Sequence, residues 1–259
     1  MHYLKRMVFK KYRLLAIFYG LVCHGIFLIA GAVMFSTILT GFKFSLGALE
    51  GFSAVAINFL LLIQFPIGHS FFLSKRGMRV LEIFAPKSYA KTLRTTIYAT
   101  IASMQLILLF SLWNFSGVFV WQIEMPANLI MILLNLASWA LLSISSIQAG
   151  YKVQTGSLGW TSVYQGKEPI FPDMPTRGMF SIIRQPIYLS FSLVLWTSPQ
   201  MSVDLFIVAL SYSLYCYFGP MFKEKRFYRI YGNQFTEYQE RVPYYLPLIS
   251  RYVGPFKRG

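Results

Sequence analysis

The sequence predicts an all-α integral membrane protein of about six transmembrane helices, the last two forming a short helical hairpin, with an amphipathic C-terminal segment on the cytoplasmic side. Three observations predict it. Hydrophobic residues make up 56% of the 259 positions and charged residues only 13%, whereas about a quarter of a soluble domain is charged. The apolar residues fall in runs near the ~20 residues that a helix needs to cross hydrocarbon. The lysines and arginines gather in alternate connections between those runs, as cytoplasmic loops do.

Taken in order, residues 14–37, 52–73, 95–116 and 127–149 are the four clearest spans. A fifth run over 187–218 is too long for one straight crossing and is broken at Thr197, Ser198, Pro199 and Gln200, with Asp204 just beyond. A proline and small polar residues mark a turn, so two short helices with both ends on one side fit the run. Residues 1–13 carry five basic residues, 74–94 six, 150–184 four and 221–259 eight. Lys43 is the only one of the 24 outside these segments. Six crossings with both termini cytoplasmic place the other 23 on one face; a single long fifth span would put the C-terminal eight outside. The basic, apolar-flanked N-terminus lacks an obvious small-residue cleavage site and is read as retained.

A net charge of +15 in a soluble chain would suggest nucleic acid. Here the charge lies between apolar runs, so it reports membrane orientation, and the expected partner is the lipid bilayer, with no nucleic acid. Cys23 and Cys216 fall inside apolar runs and form neither a disulfide framework nor a spaced metal motif. Trp113, Trp121, Trp139, Tyr12 and Tyr98 lie near helix ends or faces and suit an interfacial belt or packing. No repeat or low-complexity tract divides the chain, which reads as a single membrane domain: residues 1–150 as a four-helix scaffold and 177–247 as the functional segment.

Polar groups inside a membrane need a reason. His24 and His69 each lie within a span, where a histidine serves as a ligand, a proton carrier or a hydrogen-bonded interfacial group. From Arg177 onward the chain concentrates a guanidinium, a carboxylate and several tyrosines at the two ends of the hairpin. Pro186 suits the first turn of a helix, and Arg184 and Tyr188 have the snorkelling and headgroup chemistry of a boundary. Glu224 is a lone acid among Lys223, Lys225 and Arg226, and a hairpin that folds back brings it to the face that holds Arg184.

Arg184, Pro186 and Tyr188 in the pattern Arg-x-Pro-x-Tyr, then Glu224, then Tyr231, Gly232, Phe235, Tyr238, Pro243 and Pro247, resemble the C-terminal half of the isoprenylcysteine carboxyl methyltransferase and phospholipid methyltransferase superfamily. Gly20 to Cys23, Gly68 to Ser70, Arg94, Tyr98, Trp113 and the stretch Leu195 to Ser202 are similar to its methanethiol S-methyltransferase branch, an outline shared with NnrU-type proteins and a haem-binding carotene isomerase. The resemblance covers most of the chain. Three positions depart from the pattern: Gln185 stands for a histidine, Ser190 for a glycine and Lys223 for the first acid of a pair.

The resemblance implies S-adenosylmethionine as cofactor, bound without a dinucleotide-binding fold, and the sequence indeed lacks a Gly-x-Gly-x-x-Gly turn. It implies that Arg184, Gln185, Pro186, Tyr188, Glu224 and Tyr238 bind the cofactor, with Glu224 for its ammonium and Arg184 with Gln185 for its carboxylate. Arg184 and His69 are the candidate catalytic residues, and no metal is expected. A small thiol such as methanethiol, giving dimethyl sulfide, is the expected acceptor, because a thiolate is accessible near neutral pH without a dedicated base. A haem-binding protein using His69 and His24, a methyltransferase for isoprenylcysteine or phospholipid, and a catalytically silent relative are the alternatives. A bacterial inner membrane is the expected location.

Overall fold

A computed structural model describes residues 2–247, with side chains from residue 12 onward. The side chains of Lys5, Arg6, Lys10 and Lys11, and all of Arg251, Lys257, Arg258 and Gly259, lie outside the described residues, so part of the basic-residue count has no structural counterpart. The helices are α1 (His2–Thr40), α2 (Gly51–Phe72), α3 (Lys75–Leu81), α4 (Arg94–Leu112), α5 (Ala127–Gln148), α6 (Tyr151–Gln154), α7 (Ser157–Gln165), α8 (Pro186–Trp196), α9 (Val203–Tyr231) and α10 (Asn233–Arg241).

Among the described residues, five helices are long and apolar enough to cross a membrane: α1 from Tyr12, α2, α4, α5 and α9. Helix α2 shows why lipid must surround them. It is apolar all round, and a helix of that kind in a soluble protein would sit in the core, yet none of its residues is buried. Phe52, Val55, Phe59, Leu60 and Ile67 stand exposed along it. The protein is therefore an all-α, multi-pass membrane protein.

The chain folds as two compact units. One comprises residues up to Thr37 with Phe44–Phe115 and Tyr151–Phe171; the other comprises Ile38–Lys43, Ser116–Gly150 and the chain from Pro172. In the first, Ala16, Leu81, Leu93, Ile97 and Val163 form a core rimmed by Tyr12, Tyr19, Tyr89 and Trp160. Helices α2 and α4 are also joined by polar groups, which bind helices where lipid removes the hydrophobic drive. Gln64 Nε2 donates to Gln105 O at 2.8 Å, and Gln105 Nε2 donates back to Gln64 O at 2.7 Å. Just beyond α4, Asn58 Nδ2 donates to Asn114 O at 2.8 Å and Asn58 Oδ1 accepts from Asn114 N at 2.8 Å.

In the second unit, α5, α8 and α9 pack as neighbours. The hairpin expected over 187–218 is present as α8 and α9, with the turn at Thr197–Pro199 between them. Its second arm is not short, however: α9 runs 29 residues to Tyr231. The Lys223–Arg226 cluster is thus helical rather than an exit from the helix, because helical spacing lets Glu224 face inward while Lys225 and Arg226 stay exposed. A second feature not anticipated is a two-stranded antiparallel ribbon, β1 (Phe119–Gln122) with β2 (Gln200–Ser202). It ties the loop before α5 to the hairpin turn. Trp121 Nε1 donates to Ser198 O at 3.1 Å, and buried Asp204 accepts from Ser116 N at 2.9 Å and Ser116 Oγ at 2.6 Å.

Candidate functional site

Arg184 is the last residue but one before α8. Pro186 occupies the first turn of that helix, where its missing N–H leaves no helical bond unmade. The Arg184 backbone N–H donates to Pro243 O at 2.9 Å, so the end of the described chain lies across the start of the hairpin. Gly232, at φ +52°, stops α9. The chain then turns into α10, whose Phe235 and Tyr238 pack with Met174 and Val242.

These elements enclose one buried polar network. Arg184 Nε donates to Glu224 Oε1 at 2.9 Å and Nη2 to Oε2 at 3.4 Å. Nη1 donates to Val242 O at 2.6 Å and Gln239 O at 3.1 Å. Glu224 also accepts from Gln185 Nε2 at 2.7 Å and Gln239 Nε2 at 2.9 Å. The carboxylate is 1% exposed and the arginine 3%, yet the charges are paired and hydrogen-bonded, which is what makes burial tolerable. The Gln185 amide has one workable orientation: a carboxylate only accepts, so the NH2 must face Glu224 and Oε1 must face Lys223, whose Nζ donates to it at 2.6 Å. Lys223 Nζ also lies 5.2 Å from the Tyr188 ring centre and 5.7 Å from that of Phe227.

Tyr238 OH donates to Phe180 O at 2.6 Å, and burial pushes its phenol above the ordinary value. Burial likewise pushes Tyr245, which donates to Tyr188 O at 3.3 Å, up to about 12. Both phenols therefore stay protonated near neutral pH and act as donors.

The hairpin thus brings together Arg184, Gln185 and Glu224, with Tyr188 and Tyr238 at the rim. It also enlists two residues that the sequence reading did not place in the site. Lys223 was noticed only as a departure from the family pattern, and Gln239, next to Tyr238, carried no signal of its own. Glu237 and Glu240 are exposed. His69 belongs to the first unit: its Nε2 lies 2.8 Å from Tyr98 OH, with the Phe65 ring 5.0 Å away. His24, in the same unit, accepts at Nε2 from Trp160 Nε1 at 3.1 Å.

The space left inside the network is about 10 Å³, bordered by Pro175, Phe180, Lys223, Phe227 and Phe235 among others. Next to it, sharing Pro175, is a polar cavity of about 680 Å³ lined by Gln148, Asp173, Arg177, Gly178, Tyr231 and Gln234. Volumes of 300–1,000 Å³ are typical of small-molecule sites. Gly178, at φ +61°, lets the backbone approach the Gln148 side chain, whose Oε1 accepts from Met179 N at 2.8 Å.

The chain is similar to several curated bacterial proteins along most of its length. Methanethiol S-methyltransferase 1 of Bradyrhizobium diazoefficiens is 26% identical over 232 residues, covering 89% of this chain and 78% of that protein. The methanethiol S-methyltransferase of Pseudomonas deceptionensis is 25% identical over 202 residues, covering 78% and 76%. That of Mycobacterium tuberculosis is 24% identical over 247 residues, covering 93% and 99%. No protein-family model matches the chain, and no solved structure matches it. The resemblance read from the hairpin motif to the methanethiol S-methyltransferase branch is borne out by these relatives.

Proposed function

We propose that this chain, a relative of the methanethiol S-methyltransferases, is a membrane-embedded, S-adenosylmethionine-dependent methyltransferase that converts methanethiol to dimethyl sulfide. One observation carries the reading: Arg184 and Glu224, two residues shared with the superfamily, are joined in a buried network beside a cavity of the size a nucleoside-linked amino acid needs. The donor set of that cavity fits the cofactor. Asp173 offers a carboxylate for the ammonium, Arg177 a guanidinium for the carboxylate, Tyr231 an aromatic wall, and Gln148 and Gln234 amides. When bound, S-adenosylmethionine supplies an electrophilic methyl group on a sulfonium. The buried Arg184–Glu224 pair ties the start of α8 to α9 next to the cavity, which supports the alignment that methyl transfer asks of a protein. Gln185 cannot carry a proton, which suits a thiol acceptor, whose thiolate is accessible near neutral pH.

Purified protein in detergent, given S-adenosylmethionine and methanethiol, is expected to release dimethyl sulfide, measurable by gas chromatography. Because Asp173 and Arg177 are exposed, Asp173→Asn and Arg177→Gln are each expected to weaken cofactor binding roughly tenfold, the lower end for a bond to a charged group. A wild-type protein that neither binds the cofactor nor makes the product would overturn the proposal.

The same reading holds both termini in the cytoplasm of a bacterial inner membrane, supported by the 23-to-1 distribution of basic residues. Reporter fusions after Met125 are expected on the non-cytoplasmic side and fusions at Gly259 on the cytoplasmic side. An external C-terminus would place the site on the wrong face for an intracellular methyl donor.

A further inference from the structure

We infer that Lys223 is a receptor for a small anion, and that on the methyltransferase reading above, on which this identification rests, the anion is the thiolate form of the acceptor. The inference starts from charge. The network holds two cations, Arg184 and Lys223, and one carboxylate, Glu224. Arg184 takes the carboxylate in a two-point pairing, and the remaining acceptor positions of Glu224 go to the amides of Gln185 and Gln239. Among the described residues, the partners of the Lys223 ammonium are the neutral Gln185 Oε1 and the faces of Tyr188 and Phe227. An ammonium has three donors, and aromatic faces attract its charge without matching it.

Gln185 is what keeps the cation from collapsing onto Glu224. Its amide hands one end to each charge, so the lysine is oriented but not neutralised. This gives two of the departures from the superfamily pattern a joint meaning. Where the pattern has a histidine and an acid, this chain has a neutral bridge and a base, and the two are bonded to each other. The change makes the local charge more positive, which favours an anion at this point of the site.

Size narrows the ligand. The space of about 10 Å³ that Lys223, Gln185 and Phe227 border is also lined by Arg184 and Glu224 and has room for about one water-sized atom, so the ligand is small and its charged atom sits on the lysine side, away from the carboxylate. A thiolate sulfur bearing a single methyl group places one charged atom there and its small apolar remainder against Phe227 and Pro175. A cation beside a thiol lowers its pKa, so Lys223 raises the ionised fraction of the bound acceptor, the proton leaving to water.

Thiocyanate, a small soft monoanion, is the probe, titrated calorimetrically into detergent-solubilised protein at low chloride without methyl donor. Wild type is expected to bind it saturably; Lys223→Gln should weaken binding at least tenfold, and Lys223→Arg should keep most of it. In methyl transfer, Lys223→Gln should raise the KM for methanethiol more than it lowers kcat, and that defect should shrink as the pH rises through the thiol pKa. Thermal melting checks that each variant folds, and Lys223→Met replaces the glutamine variant if that one does not. No saturable binding by wild type, or equal affinity in wild type and a folded charge-removed variant, overturns the assignment even if the enzyme methylates thiols. Lys223-dependent thiocyanate binding in a protein that makes no dimethyl sulfide would keep the anion site and remove the methyltransferase reading.

Discussion

Replacing Arg184 with alanine is expected to destabilise the detergent-solubilised protein by about 3–5 kcal/mol, the cost of removing one partner of a buried pair. The guanidinium joins three stretches of chain through Glu224 on α9, Gln239 O on α10 and Val242 O beyond it. Its loss leaves the 1%-exposed carboxylate to two amides and takes a donor from each of the two carbonyl groups. Thermal melting measures the effect, with Glu237→Gln, an exposed position on α10, expected to melt like wild type. A folded Arg184→Ala protein with unchanged melting and lost cofactor binding would show instead that the guanidinium serves the ligand.

Gly156→Val is expected to have a comparable effect in the first unit, about 2–5 kcal/mol. The glycine stands at φ +74°, where an L side chain costs about 1–2 kcal/mol. A Cβ there would lie 2.6 Å from Ala99 Cβ and 2.9 Å from Cys23 Sγ, and overpacking of that kind adds about 1–3 kcal/mol. The carbonyl of Gly156 also accepts from Thr96 Oγ1 at 2.6 Å, so the backbone cannot move away without breaking a buried bond. Cys23 is wholly buried and gives a second readout: its alkylation by a membrane-permeant maleimide should be slow in wild type and fast in the variant. Wild-type melting together with slow labelling would show that the α6–α7 junction yields more readily than its packing indicates.

Hydropathy located the spans well because their ends coincide with changes in composition. The expected 52–73 and 127–149 correspond to Gly51–Phe72 and Ala127–Gln148. The hairpin turn was legible because Pro199 and its polar neighbours cannot continue a helix. The length of α9 was not, since four charged residues in a row read as an aqueous exit, whereas on a helix they divide between faces. That Arg184 and Glu224 share a face followed from the fold-back; their direct pairing did not, since the resemblance gives each of them to the cofactor. Gln239 did not, because its place depends on how α10 turns after Gly232, a tertiary event with no local sequence mark. Cofactor roles given by resemblance to Arg184 and Glu224 meet a network whose hydrogen bonds are largely internal. The loop residues Asp173 and Arg177 carry less pattern and line the larger space.

The β1–β2 ribbon has a consequence for how the protein is made. Trp121 and Ser198, bonded across it, are 77 residues apart in the chain. At ribosomal speeds of about 5–20 residues per second, β1 is synthesised several seconds before its partner exists. Throughout that interval its N–H and C=O groups need water, because hydrocarbon offers them nothing. The loop before α5 must therefore wait in an aqueous or headgroup layer until the hairpin has been inserted and its tip delivered. A nascent chain stopped short of Gln200 would hold an open strand edge, the kind of surface that insertion and quality-control machinery can bind.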